Sequence, residues 1–200
     1  MPLFIKKIYR VSKLLLVALL SFGRSMRVTY VDPADIQFGQ KPESQFPAKS
    51  TYRFTRGGDW DQRLLPVEEH LLYKAYVDRF IRNKPWESTL FYEVAASGIE
   101  SGTPFRGEYS DLSALKQRFN RCENLYYQIE ANGYKSNREL YREGKVENIL
   151  FLLDEVTVNI SRNGDMILND GWHRFVSARL IGLSRIPVRV LVRHSDSGEG

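Results

Sequence analysis

Apolar and polar positions alternate most regularly towards the C-terminus. Val156, Val158 and Ile160 alternate with Thr157 and Asn159, the period of a half-buried strand. Asn163-Gly164 follows. Both residue types tolerate positive φ, so the pair predicts a tight hairpin turn, with a return strand over 166–168. Asp170-Gly171 then opens a helix, with the acid or the glycine at its cap. Trp172, Phe175, Val176 and Leu180 form one apolar stripe along that helix. Gly182 stands where a left-handed C-cap belongs. Ile186-Pro187 starts a last strand over 188–192, with proline at a permitted edge position. The pattern predicts strand, turn, strand, helix, strand.

Upstream, the period is helical. Pro66-Val-Glu-Glu-His70 puts proline and acids in a first turn. Leu71, Leu72, Ala75, Tyr76, Phe80 and Ile81 give that helix a broad apolar face, and Lys84-Pro85-Trp86 ends it. Trp86, Leu90, Phe91 and Val94 mark a second helix, and 98–107 is a glycine-containing loop. Ser110-Asp111 caps a third helix with Leu112, Leu115 and Phe119 on its apolar side. It continues in register through 125–129 to the stop signal Asn132-Gly133. A short helix over 136–141 and an apolar run over 149–153 lead into the first strand. Nearer the N-terminus, 27–31 and 52–55 are short strand candidates and Asp32-Pro33 begins a turn. Residues 37–49, with Gly39, Pro42 and Pro47, read as an extended connection.

The expected fold class is α/β, of the α+β kind: a small mixed sheet with a helical N-terminal extension. The chain divides into an arm and connection (1–49), a helical extension packed on the core (50–119), a core (120–194) and a disordered tail (195–200).

Asp170, Gly171, His173 and Arg174 cluster where the C-terminal helix starts. A helix N-terminus presents free N–H groups and partial positive charge, which suits phosphate. Gly171 allows close approach to the backbone. Arg174 is suited to grip two phosphate oxygens, and His173 to donate a hydrogen bond or a proton. The alternative is purely structural: Asp170 caps the helix and Arg174 pairs with it.

The same residues carry a resemblance. Leu125-Tyr-Tyr-Gln-Ile129, Asn132-Gly133-Tyr134, Asp170-Gly-Trp-His-Arg174, Ala178, Ile181-Gly182 and Ile186-Pro-Val188 occur in the order seen in the ParB/sulfiredoxin-like fold. The segment resembles that family over roughly residues 120–194. The resemblance implies a small mixed-sheet core and a nucleotide-phosphate role for the glycine, histidine and arginine of the motif. It implies a nucleotide ligand, ATP or CTP; the expected activity, if any, is phosphoryl transfer or hydrolysis at the helix start, which magnesium would serve because that chemistry is mostly positioning and charge neutralisation. It also places an arginine-containing box beside the nucleotide, where Arg118, Arg121 and Glu123 stand here, with Glu123 and His173 as catalytic candidates. The family's members include partition proteins, sulfiredoxins, a free-serine kinase and nucleases, so nucleic-acid binding or cleavage is a second expectation. Where sulfiredoxins carry cysteine, this chain has Trp172, and its single cysteine is Cys122; that departure speaks against sulfiredoxin chemistry.

Charge refines the picture. Of 29 basic residues, Lys6, Lys7, Arg10, Lys13, Arg24 and Arg27 fall in the first 31 positions, which hold none of the 24 acids. The arm therefore carries +6, and the remaining 23 bases against 24 acids give the body −1. A near-neutral body weakens the nucleic-acid reading. The arm places Ile5, Ile8 and Tyr9 opposite its bases and then runs apolar over 14–22 except for Ser21, too short for a span of about 20 residues. Docking on the body or a partner, a membrane-surface role for residues 1–24, and a signal segment all remain open. The expected location is cytoplasmic or at the membrane periphery. One cysteine excludes an internal disulfide and a multi-cysteine metal site. His70, His173 and His194 are too scattered for a zinc cluster by spacing; the metal and the oligomeric state are left undetermined.

Other clusters weigh less. Gly57-Gly-Asp-Trp-Asp61 reads first as a turn with a buried tryptophan, and second as a ligand pair around a stacking ring. Asp154 and Glu155 are carboxylates before the first strand. Tyr126, Tyr127 and Tyr134 are at helical spacing and read as core or rim before base-stacking groups. Lys135, Arg138 and Arg142 read as a solvated face before a phosphate track.

Overall fold

A computed structural model describes residues 28–40, 55–146, 151–152 and 154–198. The basic arm up to residue 27 and most of the proline-containing connection lie outside the described residues.

The chain forms a mixed α/β structure on one seven-stranded sheet. The strands are β1 (Thr29–Val31), β2 (Phe38–Gln40), β3 (Thr55–Arg56), β4 (Leu64–Pro66), β5 (Val156–Ile160), β6 (Met166–Asp170) and β7 (Ile186–His194). The helices are α1 (Leu71–Tyr76), α2 (Leu90–Glu100), α3 (Leu112–Asn132), α4 (Asn137–Arg142) and α5 (Trp172–Ile181). The sheet order is β1-β7-β5-β6-β2-β4, and β3 pairs with the far end of β7. β5 is antiparallel to β6 and parallel to β7. The strand, hairpin, strand, helix, strand order expected from the pattern is therefore present.

Two strands, β2 and β4, were not expected. β2 lies in what reads as an extended connection, yet it pairs in parallel with β6 and antiparallel with β4. Three residues are too few for a period to show, so tertiary pairing decides. β5 was expected to be half-buried, and all five of its residues are buried. The reason is a second layer. Trp60, Ile167, Leu191 and Val192 form a small apolar cluster, separate from the main core, with Leu64 packed against it. The polar members of β5 are only partly satisfied inside. Thr157 Oγ1 accepts from Asn169 Nδ2 at 3.3 Å, and Asn159 Oδ1 accepts from Val192 N at 3.1 Å, where the β5–β7 register slips. Asn159 Nδ2 is buried with no hydrogen-bond partner among the described residues.

The main core lies under the helices, with Tyr76, Phe175, Leu115 and Leu72 among its fully buried side chains. Phe80 stacks on Tyr126 at 3.7 Å, and Trp86 packs edge-on to Tyr76 and Phe80. The third helix runs unbroken to Gly133, as its register predicts, and a full capping box between Ser136 and Glu139 starts α4. Beyond β7, Ser197 N returns to His194 O at 3.1 Å and closes a turn on the expected tail.

One contact fixes where α5 begins. Gly171 has φ +87°, and a Cβ there would stand 2.8 Å from Val156 Cα. Gly164, in the hairpin, has the same φ and open space around it. Gly164→Ala should cost only the left-handed strain, about 1–2 kcal/mol. Gly171→Ala should cost more, because helix and strand must also separate. Thermal denaturation of both variants measures the difference, and equal losses would show that the Val156 contact contributes nothing.

Candidate anion-binding site

Gly171 takes the N-cap of α5 in the left-handed conformation. Asp170 does not cap the helix: its Oδ1 accepts from Gly171 N at 2.7 Å. The next three side chains then leave the helix in three directions.

Trp172 lies across the backbone of β2, so close that a Cβ on Gly39 would meet its ring at 2.4 Å. That contact is with the Cζ2–Cη2 edge of the indole, and a face of the ring stacks on His70, with ring centroids 3.9 Å apart. Trp172 is thus a packed wedge between β2 and the start of α1. His70 itself caps α1, with Nδ1 accepting from Leu72 N at 3.1 Å. Burial, then the charge of Arg106, lowers the His70 pKa.

His173 turns towards α1 and α3. Its Nδ1 is 2.9 Å from Tyr76 Oη, and its Nε2 is 2.8 Å from Arg118 Nη2. Burial, followed by the positive charges of Arg118 and Arg106, pushes its pKa down to about 3. Arg106 sits on the α2–α3 loop with φ +55°. The residue as a whole is exposed; partial desolvation of its guanidinium, then the charge of Arg118, lowers its pKa as well. Among the described residues, neither Arg106 nor Arg118 has a carboxylate at ion-pair distance. Arg118 also lies over the Tyr109 ring at 5.8 Å. Cys122 is buried beneath this cluster, with its thiol pushed up by burial.

Arg174 turns the other way. It donates to Asn137 Oδ1 at 2.8 Å and reaches Glu155 Oε2 at 3.4 Å. Glu155 also accepts from Asn137 N, and burial raises its pKa against the lowering effect of Arg174 and Arg189. His173 and Arg174 are therefore not brought together, and Arg174 pairs with Glu155 and not with Asp170.

Glu123 is held by Arg79, through Nη2 at 2.6 Å and Nε at 3.0 Å, and by Trp86 Nε1 at 3.0 Å. These bonds lower its pKa, Arg79 most of all, and make it a tie between α3 and the chain after α1. Asp61 is buried under Arg162, which donates to it from Nη2 at 2.8 Å and from its backbone N at 2.8 Å. With Trp60 buried, the 57–61 cluster is a packed turn. Tyr126 is core, Tyr127 is exposed, and Lys135 is held by Glu143 at 2.7 Å. Among the described residues, no group of three His, Cys, Asp or Glu side chains is placed to hold a metal ion.

Arg118 was legible as part of an arginine-containing stretch. Tyr76, His70 and Arg106 were not assigned to the site. Tyr76 reads as one more apolar position on α1, and Arg106 is one polar residue in a glycine-containing loop.

Two measurements check this arrangement. Arg174→Ala leaves Glu155, 1% exposed, without its closest cation, and should cost roughly 3 kcal/mol; the melting temperature reports it. His173 has its folded pKa below its unfolded value of about 6.5, so the unfolded state binds the extra proton as the pH drops. Its contribution to stability is complete above pH ~6.5 and is lost between there and about pH 3, at most about 1.4 kcal/mol per pH unit. His173→Gln should flatten the acid limb of a stability-against-pH curve by up to one proton.

Comparison of the chain with protein-family models, curated proteins and solved structures finds no match.

Proposed function

We propose that the protein binds a phosphate-bearing small molecule, of the nucleotide class represented by ATP and CTP, at the start of α5. The observation that carries this reading is the pair Arg106 and Arg118. The two guanidinium groups are close enough that Arg118 lowers the pKa of Arg106, and neither has a carboxylate partner among the described residues. Arg106 is exposed and Arg118 half-buried; two like charges held near each other raise each other's energy, and an anion between them relieves it. The first turn of α5 adds free N–H groups and the positive end of its dipole.

In this reading Arg118 and Arg106 grip the phosphate, and the backbone after Gly171 contributes N–H donors. His173 orients Arg118, and Arg174 supports the site from behind through Asn137 and Glu155. Magnesium would arrive with a nucleotide, held largely by the phosphates themselves, as is usual for that ion. The order β5, β6, α5, β7 supports a relation to the ParB/sulfiredoxin-like fold, and the proposal includes that relation. The near-neutral body favours a small ligand over nucleic acid.

The test is a thermal-shift series with ATP, CTP and inorganic phosphate, each with and without magnesium. A ligand at a hundred times its Kd stabilises by about 2.7 kcal/mol. Arg118→Ala should weaken the responding ligand at least tenfold, since a hydrogen bond to a charged group contributes roughly 1.5–3 kcal/mol. The unliganded melting temperature should fall far less than in Arg174→Ala. Absence of any shift with all three ligands at millimolar concentration would refute the reading.

A further inference from the structure

We infer that Tyr76 is a positioning residue for this site: its hydroxyl holds the His173 ring in the Nδ1–H form, and that form makes Nε2 the acceptor that orients the Arg118 guanidinium. The inference rests on the phosphate reading for what Arg118 is oriented towards, but the hydrogen-bond assignment can be read without any ligand.

The assignment follows from donor and acceptor chemistry. A guanidinium has five N–H donors and no acceptor. With Arg118 Nη2 at 2.8 Å from His173 Nε2, that nitrogen must carry the lone pair. A neutral imidazole then has its proton on Nδ1, which stands 2.9 Å from Tyr76 Oη. The phenol oxygen is therefore the acceptor of that bond. An imidazolium would turn Nε2–H against the Arg118 N–H, and the opposite tautomer would do the same.

Packing holds the phenol where the ring needs it. Tyr76 is fully buried at the end of α1, with Trp86 edge-on at 5.4 Å and Phe80 tilted at 5.2 Å. A π-helical turn, Val77–Ile81, follows it directly, a feature frequent at functional sites. Ser177, one turn on, donates to His173 O at 2.8 Å. The three elements α1, α5 and α3 are thus linked side chain to side chain: Tyr76, His173, Arg118. One N–H of Arg118 is used on the imidazole, and the others remain for a two-pronged grip on an oxyanion.

The experiment is long-range proton–nitrogen correlation NMR on protein labelled with 15N-histidine, with His173→Gln to assign the ring. It is combined with ATP and inorganic phosphate titrations of the wild type and Tyr76→Phe. The expected result is a wild-type His173 in the Nδ1–H form at pH 7. In Tyr76→Phe that form should lose its dominance, and affinity should fall about tenfold. A wild-type ring in the Nε2–H or doubly protonated form overturns the inference, and this readout holds even if Tyr76→Phe does not fold. An unchanged ring and unchanged affinity in Tyr76→Phe also overturn it. An Nδ1–H ring that responds to Tyr76→Phe, in a protein that binds neither ligand, refutes the phosphate reading and leaves the hydrogen-bond assignment standing.

Discussion

The close approach of the Gly171 turn to Val156 decides the layout of everything around it. A residue with a Cβ cannot stand there without moving β5, so α5 starts against the middle of the sheet. Successive helical residues point about 100° apart. From that fixed origin Trp172 goes to β2 and His70, His173 to Tyr76 and Arg118, and Arg174 to Asn137 and Glu155. Three consecutive side chains thereby tie the helix to β2, to two other helices, and to Asn137 of α4 and the residue just before β5. The turn is a structural joint first, and its bearing on a ligand comes through what it aims.

Two sets of arginines stand in contrast, and the contrast explains the local electrostatics. Arg79, Arg162, Arg174 and Arg179 each meet a carboxylate, on Glu123, Asp61, Glu155 and Glu68 respectively. Such pairs repay much of the desolvation of both partners, and losing one partner leaves the other exposed to the full penalty. Arg106 and Arg118 meet an imidazole, a tyrosine ring and each other's field. Burial first, and then their positive potential, drive the nearest groups that can respond, His173 and His70, towards the neutral form. The same potential is what an oxyanion would satisfy.

Local chemistry was legible in the sequence where a short stretch decides the outcome. Asn163-Gly164, the Asp111 cap, the Ser136 capping box and the α3 stop at Gly133 all sit where residue type alone places them. β2 and the burial of both faces of β5 were not legible, because each depends on a distant partner: β6 in one case, the Trp60 segment in the other. The site divides the same way. His173 and Arg174 are adjacent in sequence and read as one grip, but helical geometry turns them apart. Tyr76 and His173 are 97 residues apart, and a buried tyrosine on an apolar stripe carries no mark of its partner. Glu123 is the converse case. Its position suggested catalysis, while Arg79 and Trp86, far along the chain, occupy both its oxygens.

These bonds bear on what kind of chemistry the arrangement can support. A general acid or base works best when its pKa lies near the working pH. His173, down at about 3, holds no second proton to give at neutral pH, and as a base it is weak, with its lone pair already accepting from Arg118. Glu123 is ionised and fully bonded, so accepting a proton would break its ties to Arg79 and Trp86. What the described side chains around Arg118 offer is charge and orientation. For phosphoryl groups that is much of what a protein contributes, since transfer depends mainly on positioning and charge neutralisation. On the proposed reading, a site built this way would serve binding before chemistry. Any proton it moves would have to travel on the ligand or on water brought in with it, because the histidine at its centre is held in a single neutral form by the residues that place it.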